Sequence, residues 1–194
     1  MKNGATPIIP SNTKLLVTSN RYYELDAASE VWHILKATNI ADDAEVTFIR
    51  KGKWWLRGVI AFSFELNGIT ILDAMERIRA YLLRRPWIME FSQRIIPVEL
   101  VSTDFSEIKS FVTSVANKRI RSNEKWAIKI SKRDSKIKRQ KIIEEIASQI
   151  NVGKVDLENP DWIINIEVIR NTYAGSVIRS HHLIRKKEIV RADC

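Results

Sequence analysis

The sequence predicts an α+β fold in two parts, and three observations carry that prediction. Apolar residues alternate between period-two and helical spacing in the order strand, helix, strand, strand, helix, strand up to residue 100, and a second alternation follows. Charge is divided unevenly: 13 basic and 11 acidic residues lie in 1–103, against 19 and 12 from Asp104 onward, so the halves carry +2 and +7. The excess is itself local. Lys118 to Lys141 holds eleven Lys or Arg against Glu124 and Asp134, an excess of +9 that equals the net charge of all 194 residues.

Residues 1–13 read as a flexible leader. Lys14–Ser19 (KLLVTS) reads as the first strand, and a helix is expected over Glu24–Ala37 with Leu25, Ala28, Trp32 and Leu35 on one face. Glu45–Lys51 and Trp54–Phe64 read as two strands around Gly52. Trp54 and Trp55 are adjacent, so on a strand one of them faces outward, where it suits a protein partner or an RNA base. Thr70 suits the N-cap of a helix carrying Ile71, Met75, Ile78 and Leu82; Pro86 limits it, and Ile88–Ile96 reads as the fourth strand. This βαββαβ order is the ferredoxin-like arrangement, assigned to residues 14–100.

The second domain, 101–180, is expected as helices, then strand-helix-strand-strand. Asp104 suits an N-cap, with Glu107 as its capping-box partner and Phe105, Ile108, Val112 and Val115 facing inward. Lys125–Ser131 reads as a strand with Trp126, Ile128 and Ile130 on the core face and Lys125 and Lys129 opposite. Asp134 or Ser135 is expected to cap a helix that runs to about Ile150, with Ile143, Ile146, Ala147 and Ile150 in the core. Gly153 ends it, Asn159-Pro160-Asp161 turns the chain, and Trp162–Asn171 and Tyr173–Arg179 read as closing strands. Residues 181–194 form a basic C-terminal tail.

Several function classes find no residues to support them. Hydrophobic residues make up 45% of the chain, so it can bury a core, and no apolar run reaches the length of a membrane span. The single cysteine, Cys194, permits neither an internal disulfide nor a cysteine zinc cluster, and with no signal peptide in view a cytoplasmic protein is expected. Six scattered glycines (4, 52, 58, 68, 153 and 175) form no dinucleotide fingerprint or phosphate loop. His181 and His182 are neighbours, which on a strand would face opposite ways and could not hold one metal together; His33 reads as packed or surface. The pairs Glu144-Glu145 and Asp156/Glu158 read as solvated or capping carboxylates. No catalytic residue, cofactor or metal is expected. The basic stretch, a short apolar strand followed by a basic turn and helix start, instead reads as a phosphate cradle, with nucleic acid or an anionic surface as the partner.

Two segments carry a family resemblance: Trp126-Ala-Ile-Lys-Ile-Ser-Lys-Arg, and Lys154-Val-Asp-Leu-Glu-Asn-Pro-Asp leading into Ile164-Asn-Ile-Glu-Val. With them the second half resembles a THUMP domain, an RNA-binding module of tRNA-modifying proteins. Together with the Leu15-Leu-Val-Thr-Ser-Asn opening, the chain is similar nearly end to end to the stand-alone THUMP proteins that assist tRNA cytidine acetylation. The resemblance implies a non-catalytic adaptor that binds tRNA and presents it to an N-acetyltransferase for N4-acetylcytidine formation in the D-arm. It places RNA contacts on Lys129, Lys132, Arg133, Lys136, Lys138 and Arg139, to which the charge run adds Lys118, Arg119 and Arg121. Trp126, reading as core, and Trp162 and Tyr173 are the aromatics nearest to these cations. The alternatives are an accessory protein for another tRNA or RNA modification enzyme, methylating or thiolating, and an unrecognised RNA-modifying enzyme.

Overall fold

The computed structural model describes residues 7–51 and 54–191, with 50, 51 and 54–57 by their backbone alone. The chain folds as two compact units, residues 12–98 with 181–191 and residues 7–11 with 99–180. In chain order the elements begin with β1 (Thr13–Ser19), α1 (Glu24–Ala37), β2 (Glu45–Lys51), β3 (Trp54–Ser63), α2 (Ile71–Arg84) and β4 (Ser92–Pro97). There follow β5 (Leu100–Ser102), α3 (Phe105–Arg119), β6 (Lys125–Arg133), α4 (Arg139–Ala147), β7 (Lys154–Val155), β8 (Trp162–Ile169) and β9 (Thr172–Arg179). A short return, β10 (Ile184–Arg185) and α5 (Lys186–Arg191), belongs to the first unit.

In the first unit the expected βαββαβ order is present, as an antiparallel sheet ordered β10-β4-β1-β3-β2. Its strands bury Leu15, Val17, Ile60, Phe62 and Ile95 against Val31, Ile34 and Leu35 of α1 and Met75, Ile78 and Leu82 of α2. Thr70 caps α2 as expected, through a full capping box with Asp73. The apolar face of α1 differs from the expected one. Leu25 and Trp32 are exposed, while Ala27, Val31 and Ile34 join Ala28 and Leu35 in the core. Both stripes have helical spacing; the buried one is the more continuous in small and β-branched residues, and Trp32 instead carries the Lys36 ammonium over its ring at 3.8 Å.

The fourth strand begins at Ser92 rather than Ile88. Pro86–Ile88 forms a 3₁₀ turn, and the carboxylate of Glu30 accepts from the backbone N–H groups of Glu90, Phe91 and Ser92 at 2.8, 2.7 and 3.2 Å. Backbone donors held by a side chain are not available to a strand ladder. Described segments near both termini are also held by the fold. Ile9 is fully buried and the Ile8 N–H donates to the Thr172 hydroxyl, so residues 8 and 9 are not a flexible leader; residues 1–6 lie outside the described residues. The tail from His181 adds β10 to the edge of β4 and buries Ile184 and Ile189. The outward-facing choice between Trp54 and Trp55 concerns side chains outside the described residues.

In the second unit the sheet runs β5-β9-β8-β6-β7, with β6 parallel to both β7 and β8 and the remaining pairs antiparallel. Helices α3 and α4 share a core with it: Ile108, Val112, Ala116, Ile142 and Ile146 meet Trp126, Ile164, Ile166, Val168 and Val177. Asp104 caps α3 by accepting from the Ser106 N–H, but Glu107 makes no capping box with it and accepts instead from the Ser102 hydroxyl at 2.7 Å. Neither Asp134 nor Ser135 caps α4. Asp134 takes a left-handed conformation (φ 50) that ends the strand, and the helix starts four residues after Ser135. The later start rotates the buried face: Ile142 and Ile146 are buried, and Ile143 is only partly covered.

The turn into the middle of β3 offers a test of this packing. Gly58 has φ 71, its N–H donates to buried Glu24 at 2.8 Å, and a Cβ there would stand 2.4 Å from the Ser19 carbonyl oxygen. Backbone strain alone costs an alanine about 1–2 kcal/mol here, and the clash adds to it. Gly58→Ala is expected to lower stability by at least about 2 kcal/mol, read as a drop in the urea midpoint. An unchanged midpoint would contradict the close approach of these strands.

Candidate nucleic-acid interface

The basic stretch is contiguous in sequence but divided in space. Lys118, Arg119 and Arg121 lie at the end of α3, beside the start of β6, whereas Lys132, Arg133, Lys136, Lys138 and Arg139 lie at its far end. Eight residue steps of about 3.3 Å separate those ends by roughly 26 Å. Lys129 sits between them in mid-strand. Eight of the nine candidates therefore make two groups, and the groups differ in what surrounds them.

At the start of β6 the cations meet acids. The Arg119 guanidinium forms a fork on Glu99, at 3.0 and 2.8 Å, and also donates to the Val177 carbonyl at 2.7 Å. Lys125 pairs with Asp156 at 2.8 Å, and Arg179 pairs with Glu124 at 2.7 Å while lying 4.1 Å over the Trp162 ring. Glu124 also accepts from the Trp162 indole and the Arg121 N–H. Lys118, Arg121, Lys125 and Lys154 are exposed there, Lys125 with its ammonium held by Asp156. Arg119 is a strut of the fold rather than a free contact.

The far end has another character. From Asp134 to Lys138 exposure alternates: Ser135 and Ile137 turn toward the protein, with Ile137 packed on the core, and Lys136 and Lys138 stand outside. Lys132 is exposed and reaches the Ile137 carbonyl at 3.0 Å, which closes the loop on itself. Lys138 occupies the N-cap of α4 with no side-chain bond to the first turn, no acid lies in that turn, and Arg139 is its first residue. The first-turn N–H groups thus end in a set of cations with no carboxylate cap, an arrangement that favours an anion. Arg133 and Lys129 are half-buried and each already interacts within the protein.

Arg170, absent from the sequence reading, joins this end. It forms the β8–β9 turn with φ 54, donates its N–H to the Arg133 carbonyl at 3.0 Å, and holds its guanidinium 3.7 Å from Asp134. Parallel register places it there, because Arg133 pairs with Ile169. A lone Arg between two apolar runs gives no signal of that by itself. The aromatics do not join: Trp126, Trp162 and Tyr173 are all buried, Trp126 donating to the Val152 carbonyl and Tyr173 lying against Phe105. None offers a face to a nucleobase.

The remaining candidates sort as follows. Asp156 organises the 154–161 loop by accepting from the N–H groups of Glu158 and Asn159. His33 is exposed, with the Tyr81 hydroxyl at 3.3 Å. His181 and His182 lie in a 3₁₀ turn, not a strand, and both Nε2 atoms approach the same Glu76 oxygen, at 2.6 and 2.8 Å. The expectation that they diverge is therefore corrected: a turn conformation brings adjacent rings to one side. Among the described residues no helix is long and apolar enough to cross a membrane.

Two outcomes follow from this division. Arg119→Ala removes three hydrogen bonds and leaves Glu99 without its cation, so it is expected to cost about 2–3 kcal/mol in urea unfolding, while Lys136→Ala stays within about 0.5 kcal/mol. Equal effects would contradict the distinction between strut and free cation. The Asn159 N–H, and then the Lys125 ammonium, hold Asp156 down to about 2 from its usual 3.8. The Arg121 N–H lowers Glu124 below its usual 4.5; burial opposes this, and the Arg179 and Trp162 contacts reinforce it. Both carboxyls are lower in the folded state, so their stabilisation is complete above the unfolded values and is lost as pH falls toward 2. Asp156→Asn is expected to flatten the stability curve between pH 4 and 2, measured by urea midpoints; an unchanged slope would contradict the loop geometry.

Comparison with known proteins places these residues. Residues 102–174 match the family model of the THUMP domain. No curated protein matches the chain. The fold is similar to that of PH1313 from Pyrococcus horikoshii Ot3, with TM-score 0.53 and 13% identity over 86% of this chain and 55% of that one. It is also similar to a 4-thiouridine synthetase solved as an RNA complex with bound ATP, with TM-score 0.52 and 17% identity over 86% of this chain and 41% of that one. These identities establish a shared fold, and the chain spans about half the length of either structure. The β5-to-β9 region of this protein carries a THUMP domain, and the basic end of β6 lies within it.

Proposed function

We propose that this chain is a non-catalytic tRNA-binding adaptor that presents tRNA to an N-acetyltransferase forming N4-acetylcytidine in the D-arm. The observation that carries the RNA-binding part is the start of α4, with no carboxylate cap and with Lys132, Lys136, Lys138 and Arg139 exposed around it. The THUMP match and the fold shared with a synthetase solved in complex with RNA support the same reading. Lys and Arg at this surface neutralise phosphates and release counterions, which gives affinity with little sequence information. The acetylation partner rests on the resemblance of the whole chain to stand-alone THUMP proteins of that pathway. The adaptor role rests further on the scatter of its six glycines, which form no phosphate or cofactor loop.

The first test is a salt titration of tRNA binding. Replacing Lys132, Lys136, Lys138 and Arg139 together with Ala is expected to leave circular dichroism unchanged and to flatten the log-affinity against log-salt slope by roughly 3 to 4 units. Replacing Lys118 and Arg121 is expected to change it less. A slope unmoved by the fourfold variant would place the RNA elsewhere. The second test is reconstitution: the chain alone with acetyl-CoA and tRNA forms no acetylcytidine, and addition of the acetyltransferase restores it. Turnover by the chain alone would overturn the adaptor reading. The fold shared with a 4-thiouridine synthetase favours one other reading, an accessory for thiolation. Loss of thiouridine rather than acetylcytidine in tRNA from cells lacking the protein would select it.

A further inference from the structure

We propose that Glu76, His181 and His182 form a binding site for a first-row divalent transition cation of the Zn²⁺ class. Within the first unit these three side chains join α2 to the returning C-terminal segment. The two Nε2 atoms lie 2.6 and 2.8 Å from one carboxylate oxygen, and the three ligand atoms all lie within 4.8 Å of one another. The imidazole rings cross edge to face, with centroids 4.4 Å apart and planes at 73°. Adjacent histidines converge in this way only because Ser180–His182 is a 3₁₀ turn.

The donor set selects the ion. Two imidazole nitrogens and one carboxylate suit zinc and its neighbours, whereas magnesium and calcium prefer oxygen donors throughout. Bonds of about 2.0–2.1 Å in a tetrahedral site put ligand atoms about 3.3 Å apart, so the two contacts to Glu76 open by less than about 1 Å. Glu76 has the freedom for that movement, since its side chain is 56% exposed. His182 is buried at 3% and supplies a fixed ligand, while half-exposed His181 leaves the ion a path from solvent. Three protein ligands leave the fourth position to water. Asp73, one helical turn before Glu76 on α2, adds a second negative charge that favours a dication. A bound ion replaces two imidazole–carboxylate hydrogen bonds with metal–ligand bonds and fastens the segment that carries β10 and α5 onto α2.

The test uses the tag-free full chain with Cys194→Ser, which removes the only thiol, stripped with EDTA and titrated with ZnCl₂ by calorimetry. The expected result is one Zn²⁺ per chain, a rise in thermal midpoint with Zn²⁺, and visible d–d absorption of the tetrahedral type when Co²⁺ replaces it. Glu76→Gln and His181→Asn alter side chains that are about half exposed, so the fold is retained, and each is expected to weaken Zn²⁺ by on the order of 100-fold and abolish the midpoint shift. His182→Gln is a third variant, interpreted only where its circular dichroism matches the parent. Absence of Zn²⁺ binding in the parent chain would overturn the site. So would binding that Glu76→Gln and His181→Asn leave unchanged.

Discussion

The parallel pairing of β6 with β8 is the constraint on which the THUMP unit depends. Eight residues of each strand are in register, from Trp126 opposite Trp162 to Arg133 opposite Ile169. Two parallel strands cannot be joined by a hairpin, so the chain must leave the carboxyl end of β6 and return to the amino end of β8 through a crossover. That crossover is the 134–138 loop, α4 and the short β7. Geometry therefore puts a helix N-terminus at the carboxyl end of a central strand, the position at which open α/β sheets present backbone N–H groups to ligands. The register also brings the β8–β9 turn, with Arg170, to the same end.

The charge distribution follows the same axis. At the amino end of β6 three cations have carboxylates: Arg119 has Glu99, Lys125 has Asp156, and Arg179 has Glu124, while Lys118 and Arg121 stand exposed beside them. These pairs order the loops that deliver the chain into and out of the sheet. At the carboxyl end Arg170 lies 3.7 Å from Asp134, and Lys132, Lys136, Lys138 and Arg139 are exposed. Along α4, Glu145 is already engaged with Lys109 and approached by Lys141. One end carries three cation–carboxylate pairs beside exposed Lys118 and Arg121, and the other carries four exposed cations around a helix start. A charge count over Lys118–Lys141 merges the two, because sequence distance along a strand carries no information about which acids fold back beside it.

How much was legible in the sequence follows from how local the cause is. The ferredoxin-like order was legible because alternation and helical spacing are properties of single segments, and Thr70 and Asp104 cap their helices through atoms two or three residues away. The face of α1 was not, since Leu25 and Trp32 have helical spacing as good as Val31 and Ile34, and only the sheet decides between them. The start of β4 was displaced by Glu30, a residue about sixty positions away. The two-residue strand β10 has no pattern of its own and exists because β4 offers an open edge. Basic character was legible for the site, as were four of its exposed cations. The division of the run, the structural use of Arg119 and the arrival of Arg170 all depend on strand register.

Burial of the aromatics sets how a surface of this kind can recognise RNA. Trp126, Trp162 and Tyr173 pack inside the THUMP unit, so none of the three gives the basic end of β6 an aromatic platform on which unpaired bases could stack. What remains are long cations and backbone N–H groups, and both recognise phosphates. Phosphates carry shape, through their spacing across a folded helix, and almost no base identity. A protein bound in this way distinguishes a tRNA fold from other RNA but does not choose one cytidine within it. Under the adaptor reading that choice belongs to the enzyme receiving the tRNA, and the chain needs only to hold the substrate in one orientation. The crossover supplies that orientation: the Ile137 anchor, the Lys132 contact to its carbonyl and the fixed start of α4 hold the cations of one loop in a single arrangement.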